Sequence, residues 1–288
     1  MKIVSVSARI TILIFLVFGL TFSTVAQTPK YKVYALRFAR SGYPFTKADW
    51  STGGPKDQKV DISFVVWLLK GDNGKNILVD AGFLGHSEEG KEFQLVSYTR
   101  PDSVLLKIGV KPSDISDIIV THPHFDHIGG ISLFPNANVW MQKKDFEFFV
   151  GEAWQSEDGN GGFNKQDVKE TIDRNLAGKL KLVNGDNKTI LEGITVYTGS
   201  KHTSESQYVL VNTGDNKVIL ASDNIWIYYS LDNNAPPSKG GTLDEKGYVA
   251  AIKRMKTMVK SPKFIIPGHD GRMFEIFPKV ADDVIEIK

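Results

Sequence analysis

Three imidazoles and a carboxylate crowd into His122-Pro-His124-Phe-Asp126-His127, and no other stretch restricts this chain as much. Imidazole nitrogen and carboxylate oxygen are the donors that suit zinc and its first-row neighbours. The residues just ahead, Asp117 to Thr121, read as a short buried strand, so the cluster leaves a strand end. On an extended segment His122 and His124 are two apart and can point the same way. Asp126 and His127 follow as the chain turns, and they address a second point nearby. One loop can therefore serve two adjacent cations, a pairing (roughly 3.5–4 Å apart) that clamps the attacking and leaving oxygens of a hydrolysis. The plainer alternative is a polar loop whose histidines satisfy backbone groups. A lone histidine would favour that alternative; a cluster at a strand end does not.

The rest of the chain supplies strands in hairpin clusters with helices between them. Tyr31 to Ala39 reads as a strand, and Val60 to Leu69 pairs with Lys75 to Asp80 across the turn residues Gly71 to Gly74. Val104 to Val110, Lys144 to Val150, Val168 to Leu176 and Gly247 to Val259 read as helices. Asn138 to Met141, Thr189 to Thr198, Gln207 to Asn212, Lys217 to Ala221 and Lys263 to Ile266 read as further strands. Gly151 to Gln166, rich in Gly, Asn and Glu, reads as a loop. Two sheets packed face to face with helices outside accommodate this order.

The first residues read as an export signal. Lys2 and Arg9 form a basic start, Ile10 to Phe22 is almost wholly apolar, and Thr24-Val-Ala26 offers small residues for cleavage after Ala26. The apolar run is about 13 residues, short of the roughly 20 that span a bilayer, so a stable membrane anchor is not expected. That divides the chain into a leader at 1–26 and one hydrolase domain at 27–288, placed in the periplasm or secreted. Lys+Arg number 35 against 33 Asp+Glu, and losing Lys2 and Arg9 makes them equal. A neutral mature chain offers no electrostatic attraction to nucleic acid. There is no cysteine, which excludes disulfides, a thiolate ligand and a cysteine nucleophile alike.

The segment His-x-His-x-Asp-His resembles the signature of the metallo-β-lactamase superfamily. In that family a histidine, an aspartate and a histidine follow, each just past a strand. This chain offers His202 after Thr189–Thr198, Asp223 after Val218–Ala221, and His269 after Phe264–Ile266. The resemblance covers nearly the whole mature chain and implies an α+β, four-layered αββα sandwich. It implies two divalent metal ions, zinc foremost, with iron, manganese or cobalt accepted by the same ligands. By resemblance His122, His124 and His202 take one metal, Asp126, His127 and His269 the other, and Asp223 bridges them. Asp80, at the end of Asn76-Ile-Leu-Val-Asp80, is expected to bond a ligand histidine and fix its tautomer; the alternative is a turn-capping carboxylate. His86, in Gly85-His-Ser, reads as a loop histidine outside the ligand set.

The absence of cysteine and the carboxylate at Asp223 turn the reading away from β-lactam cleavage and toward ester, lactone, thioester and phosphoester hydrolases. Asn76 to Gly82, Ser222-Asp223-Asn224 and Pro267-Gly-His269-Asp270 with Phe274 and Phe277-Pro278 are similar to the N-acyl-homoserine lactonases. Two departures stand out. The turn His202-Thr-Ser-Glu-Ser206 lacks the proline and glycine of the lactonases' His-Thr-Pro-Gly-His. Trp226 stands where they tend to place a substrate-binding tyrosine, with Tyr228 and Tyr229 close behind. Trp226, Tyr228 and Tyr229 are therefore candidate substrate contacts, with packing as the alternative for Trp226. Phe149, with Phe146, Phe148 and Trp154, is a candidate acyl-chain contact, with packing of an amphipathic helix as the alternative.

The resemblance implies opening of an acyl-homoserine lactone ring by a hydroxide bridging the metals, with Asp126 or Asp223 carrying the proton to the leaving group. The expected partner is a small lactone or ester, and a homodimer is compatible with this. Rival readings are an exported phosphotriesterase or arylesterase of the methyl parathion hydrolase kind, and a metal-binding protein without catalysis.

Overall fold

The computed structural model describes residues 28–288 apart from 86, 88 and 156–159. The leader and His86 lie outside the described residues. The strands are β1 (Tyr31–Ser41), β2 (Ser63–Gly71), β3 (Asn76–Val79), β4 (Leu95–Tyr98), β5 (Ile115–Ile119), β6 (Asn138–Gln142) and β7 (Leu180–Val183). They continue with β8 (Lys188–Leu191), β9 (Ile194–Thr198), β10 (Gln207–Asn212), β11 (Lys217–Ser222), β12 (Ile265–Pro267), β13 (Lys279–Ala281) and β14 (Val284–Ile287). The helices are α1 (Lys47–Trp50), α2 (Pro101–Leu106), α3 (Phe125–Ile128), α4 (Lys143–Val150), α5 (Lys165–Leu176), α6 (Tyr228–Asn233), α7 (Glu245–Met258) and α8 (Met273–Ile276).

One sheet runs β13-β14-β1-β2-β3-β5-β6-β7, with β4 also paired to β1. The other runs β12-β11-β10-β9-β8. The sequence explains why the first sheet is buried on both faces. In β2, Val65, Trp67 and Leu69 join the core shared with the second sheet. Their neighbours Phe64, Val66 and Leu68 join the opposite core, with Val104 and Leu105 of α2 and Phe149 of α4. Successive side chains of a strand point to opposite faces, so an unbroken apolar run reads as a strand covered on both sides. The second sheet is covered likewise: Tyr208 of β10 sends its hydroxyl to Met258 Sδ of α7 at 4.0 Å. The result is the α+β, αββα layering expected.

Thr189 to Thr198 is two strands rather than one. Gly193, at φ +79°, turns the chain between β8 and β9, a conformation that favours glycine. The expected strand at Lys263–Ile266 is shifted, because Pro262–Phe264 forms a 3₁₀ turn and β12 begins at Ile265. Among the described residues no helix is long and apolar enough to cross a membrane.

Strand direction brings the candidate residues together. β3, β5, β6 and β7 are mutually parallel. In the second sheet β11 is parallel to β12, and β9 and β11 both run antiparallel to β10. The carboxyl ends of β3, β5, β9, β11 and β12 lead into Asp80, His122, His202, Asp223 and His269 in turn.

Candidate metal centre

The loop after β5 is held before it carries any chemistry. Asp80, at φ +58°, turns back so that its Oδ1 accepts from Thr121 N at 2.7 Å and its Oδ2 from Thr121 Oγ1 at 2.9 Å. Gln207 of the second sheet donates from N to Thr121 O at 2.9 Å and from Nε2 to Val120 O at 2.7 Å. α3 is a single turn capped by His124, and that turn swings His127 back under the loop. His127 Nδ1 lies 2.8 Å from Asp80 Oδ2, and Ser222 Oγ donates to the same oxygen at 3.0 Å. A carboxylate accepts, so Nδ1 carries the hydrogen and Nε2 of His127 is left facing the cluster.

The other histidines are oriented the same way. His202 Nδ1 donates to Gly241 O at 2.8 Å, and His269 Nδ1 to Ser63 O at 3.2 Å. Thr121 Oγ1 gives its hydrogen to Asp80, so His122 Nδ1, 3.1 Å away, is the donor in that contact. Each of the four thus turns Nε2 inward. His124 differs: its Nδ1 lies 3.0 Å from both His122 Nε2 and His202 Nε2. Asp223 spans the cluster. Its Oδ1 lies 2.9 Å from His269 Nε2 and 3.4 Å from His127 Nε2, and its Oδ2 3.3 Å from His202 Nε2. Gly268 is dictated by this arrangement, because a Cβ there would come within 2.5 Å of Asp223 Oδ1.

Three groups converge tightly enough to share a cation: His122 with His124 and His202, His122 with His127 and Asp223, and Asp126 with His127 and His269. Within each group the donor atoms lie within 4.8 Å of one another. His127 Nε2 and Asp223 Oδ1 are buried and make no hydrogen bond, despite their closeness to other members. Buried polar atoms are almost always satisfied. Unsatisfied atoms among converging lone pairs fit a Lewis acid, and an all-imidazole and carboxylate set fits a divalent one.

Charge divides the cluster. Burial pushes His122, His124 and His202 down, His124 to about 3, and neighbouring imidazoles push His122 and His124 the same way. These three are neutral at pH 7. Burial also opposes charge on His127 and His269, but Asp126, Asp223 and Asp80 raise His127 well above its ordinary value, and Asp223 with Asp126 raises His269. Burial would raise Asp126 and Asp223, yet His127 and His269 hold both below the usual carboxylate range.

A cavity of about 410 Å³ opens onto His124, Asp126, His202, Asp223 and His269. Phe45, Trp50, Phe93, Phe125 and Trp226 line it too, with Asp49 and Glu92, and the rings of Trp50 and Trp226 lie 5.4 Å and 5.5 Å from those of His269 and His202. Of the candidate substrate contacts, Trp226 lines this cavity, but its indole Nε1 donates to Asp223 Oδ2 at 2.7 Å. Tyr228, Tyr229 and Phe149 do not line it. Tyr228 is buried beneath the Arg272 guanidinium, 4.6 Å from its ring centroid, and Tyr229 Oη donates to Gly53 O at 2.7 Å. Phe149 packs 5.2 Å from Phe163 in the core beneath α4, the arrangement of an ordinary amphipathic helix. Phe146, Phe148 and Trp154 lie against that same core and also stand outside the cavity wall.

Nothing in the sequence pattern marked Phe45, Trp50 or Phe93, which reach the cavity from a loop, the one-turn helix α1 and a 3₁₀ turn. Asp145 was unmarked as well. This buried carboxylate of α4 accepts from Thr203 Oγ1 at 2.8 Å and from Glu205 N at 2.7 Å. It braces the His202 turn that lacks proline and glycine. Burial raises Asp145 to about 7, against the pull of those two hydrogen bonds.

The family model described as the metallo-beta-lactamase superfamily matches residues 63–269. An N-acyl homoserine lactonase of Bacillus cereus is 28% identical over 224 residues, covering 73% of this chain and 82% of that protein. A second N-acyl homoserine lactonase, from a Bacillus species, is 28% identical over 237 residues, 76% of this chain and 87% of that protein. Among solved structures, an N-acyl homoserine lactone hydrolase with its product N-hexanoyl-L-homoserine at the catalytic metal centre superposes with a TM-score of 0.68 at 21% identity. That match covers 88% of this chain and 98% of the other. The dizinc quorum-quenching lactonase AidC superposes at 0.62 with 18% identity, over 84% of this chain and 91% of the other.

Proposed function

The chain belongs to the metallo-beta-lactamase superfamily of metal-dependent hydrolases, and from that premise we propose that it opens the ring of N-acyl-homoserine lactones. One observation carries the reading: a single cavity is lined both by the histidine–aspartate cluster and by five aromatic rings. A polar ring ester suits the cluster and an apolar acyl chain the aromatic rings. The curated lactonases that share about a quarter of its residues support the same choice.

In this reading His122, His124 and His202 hold one divalent cation, Asp126, His127 and His269 a second, and Asp223 is shared. Bound there, zinc or a similar metal supplies a Lewis acid and a water of lowered pKa. The chain's own residues do the rest. His127 and His269 hold Asp126 toward the ionised form, and the residue lines the cavity, so its carboxylate can accept a proton and return it to the leaving oxygen. Asp80, Gly241 and Ser63 hold the imidazole rings in one tautomer and orientation. Trp50, Phe93 and Trp226 exclude water from the acyl side.

Purified mature protein should be loaded with zinc and offered N-hexanoyl-homoserine lactone, an aryl ester, a phosphotriester and a β-lactam. The lactone should be turned over with the highest kcat/KM. Absence of lactone opening alongside good cleavage of another ester would overturn the assignment. A phosphotriesterase or arylesterase is the second reading. It is favoured by one feature: no tyrosine is among the cavity-lining residues, whereas Trp50 and Trp226, with ring centroids 5.2 Å apart, suit an aryl group. Export belongs to the same proposal, and a mature protein beginning at Gln27 is its test.

A further inference from the structure

We propose that Trp226 is a positioning residue that sets the orientation of the Asp223 carboxylate and thereby the cation affinity of the whole cluster. The inference rests on the metal-centre reading above. Asp223 can serve both halves of the cluster in one rotamer plane, with Oδ1 toward His269 and His127 and Oδ2 toward His202. Rotating the carboxylate by a quarter turn would withdraw both oxygens from those nitrogens. The indole N–H, 2.7 Å from Oδ2, opposes that rotation.

The indole is itself immobilised. Its ring packs edge-on against Trp50 at 5.2 Å and against His202 at 5.5 Å. A side chain at Gly241 would collide with the ring, and the carbonyl of that same glycine anchors His202 Nδ1. On the backbone, Trp226 N donates to Tyr248 Oη at 3.1 Å, and Trp226 O accepts from His269 N at 3.0 Å. One residue therefore touches the supports of His202, Asp223 and His269, which come from three different strand ends. Its N–H is committed to Asp223, so it is not held for a substrate carbonyl. Groups that fix the orientation of ligands typically change metal affinity by about 10–100-fold when removed.

Two variants separate the hydrogen bond from the packing. Trp226→Phe keeps a ring and loses the donor; Trp226→Gln keeps a donor and loses the ring. Titration of metal-free protein with Co²⁺, read by the visible d–d spectrum and by competition with a chromophoric chelator, measures affinity without any substrate. Trp226→Phe should bind Co²⁺ about 10–100-fold more weakly, with an altered spectrum, and Trp226→Gln should stay close to the parent. Unchanged affinity in Trp226→Phe, or loss in Trp226→Gln alone, overturns the proposal. Should Trp226→Phe fail to fold, as judged by melting of the metal-free form, Trp226→Gln decides alone: parent-like affinity supports the role and loss overturns it. A parent protein that binds no Co²⁺ would overturn the metal-centre reading and this inference together. A parent that binds Co²⁺ but opens no lactone would overturn only the substrate assignment.

Discussion

The two sides of the histidine cluster are built from the same residue types and behave as opposites. His122, His124 and His202 face one another as neutral rings, with no carboxylate among their anchors. His127 and His269 sit in an ionic web with Asp126, Asp223 and Asp80, which draws both toward the charged form. The first side is already in the form a cation needs. The second is drawn away from that form by its carboxylates, and Asp223 belongs to both.

The largest effect should come from removing that shared residue. Asp223→Ala takes the carboxylate from beside two buried histidines, His127 and His269, and breaking a buried pair costs about 3–5 kcal/mol. The metal-free variant should melt well below the parent, and hydrolysis should be lost; full activity would show that Asp223 does not join the two sides.

Next comes Asp145, behind the neutral side. Its pKa is raised to about 7 in the folded chain, against an ordinary carboxylate value when unfolded. Both states are protonated below the unfolded value, so no penalty exists there. The penalty grows as pH rises toward 7 and then stays constant at up to about 4 kcal/mol. Asp145→Asn should lack this slope, so denaturation at pH 4 and pH 7.5 should show the variant gaining on the parent. Parallel pH profiles would remove the buried carboxyl from the account.

Asp80→Asn should weaken cation binding about 10–100-fold, chiefly on the ionic side, because His127 loses its acceptor. Calorimetry in buffers of different ionisation enthalpy sharpens the comparison. Loading the ionic side should release more protons, and tighten more as pH rises, than loading the neutral side. Equal proton release at both steps would erase the distinction. The smallest effect belongs to Tyr229→Phe, which forfeits one hydrogen bond to Gly53 O, worth about 1 kcal/mol. KM should not change, and a raised KM would return Tyr229 to the substrate.

The cluster was legible because each segment that carries it comes within a few residues of the end of an apolar run. The runs became strands, and parallel strand ends on one edge brought residues from 80 to 269 together. The aromatic wall was not legible. Phe45 and Trp50 come from the segment between β1 and β2, and Phe93 from a 3₁₀ turn, where no periodicity announces a binding surface. Phe149 was left open between acyl-chain contact and packing because helical spacing shows that one face is buried without saying against what. Asp145 was invisible for the opposite reason. A carboxylate in a first helical turn looks like a partner for the helix dipole, and only the tertiary fold brings Thr203 and Glu205 over it. The β8–β9 turn did carry a signal, the Glu192-Gly193 pair, which a long β-branched run concealed.

His124 and His202 lie 78 residues apart in the chain, 3.0 Å apart in space, and on opposite sheets. A cation held between them closes a covalent-like loop of that length, and longer loops restrict the unfolded chain more. A protein without a single cysteine would thus acquire the thermodynamic equivalent of a cross-link. Chelators would then act on it as reductants act on a disulfide protein, loosening one sheet from the other without touching a peptide bond.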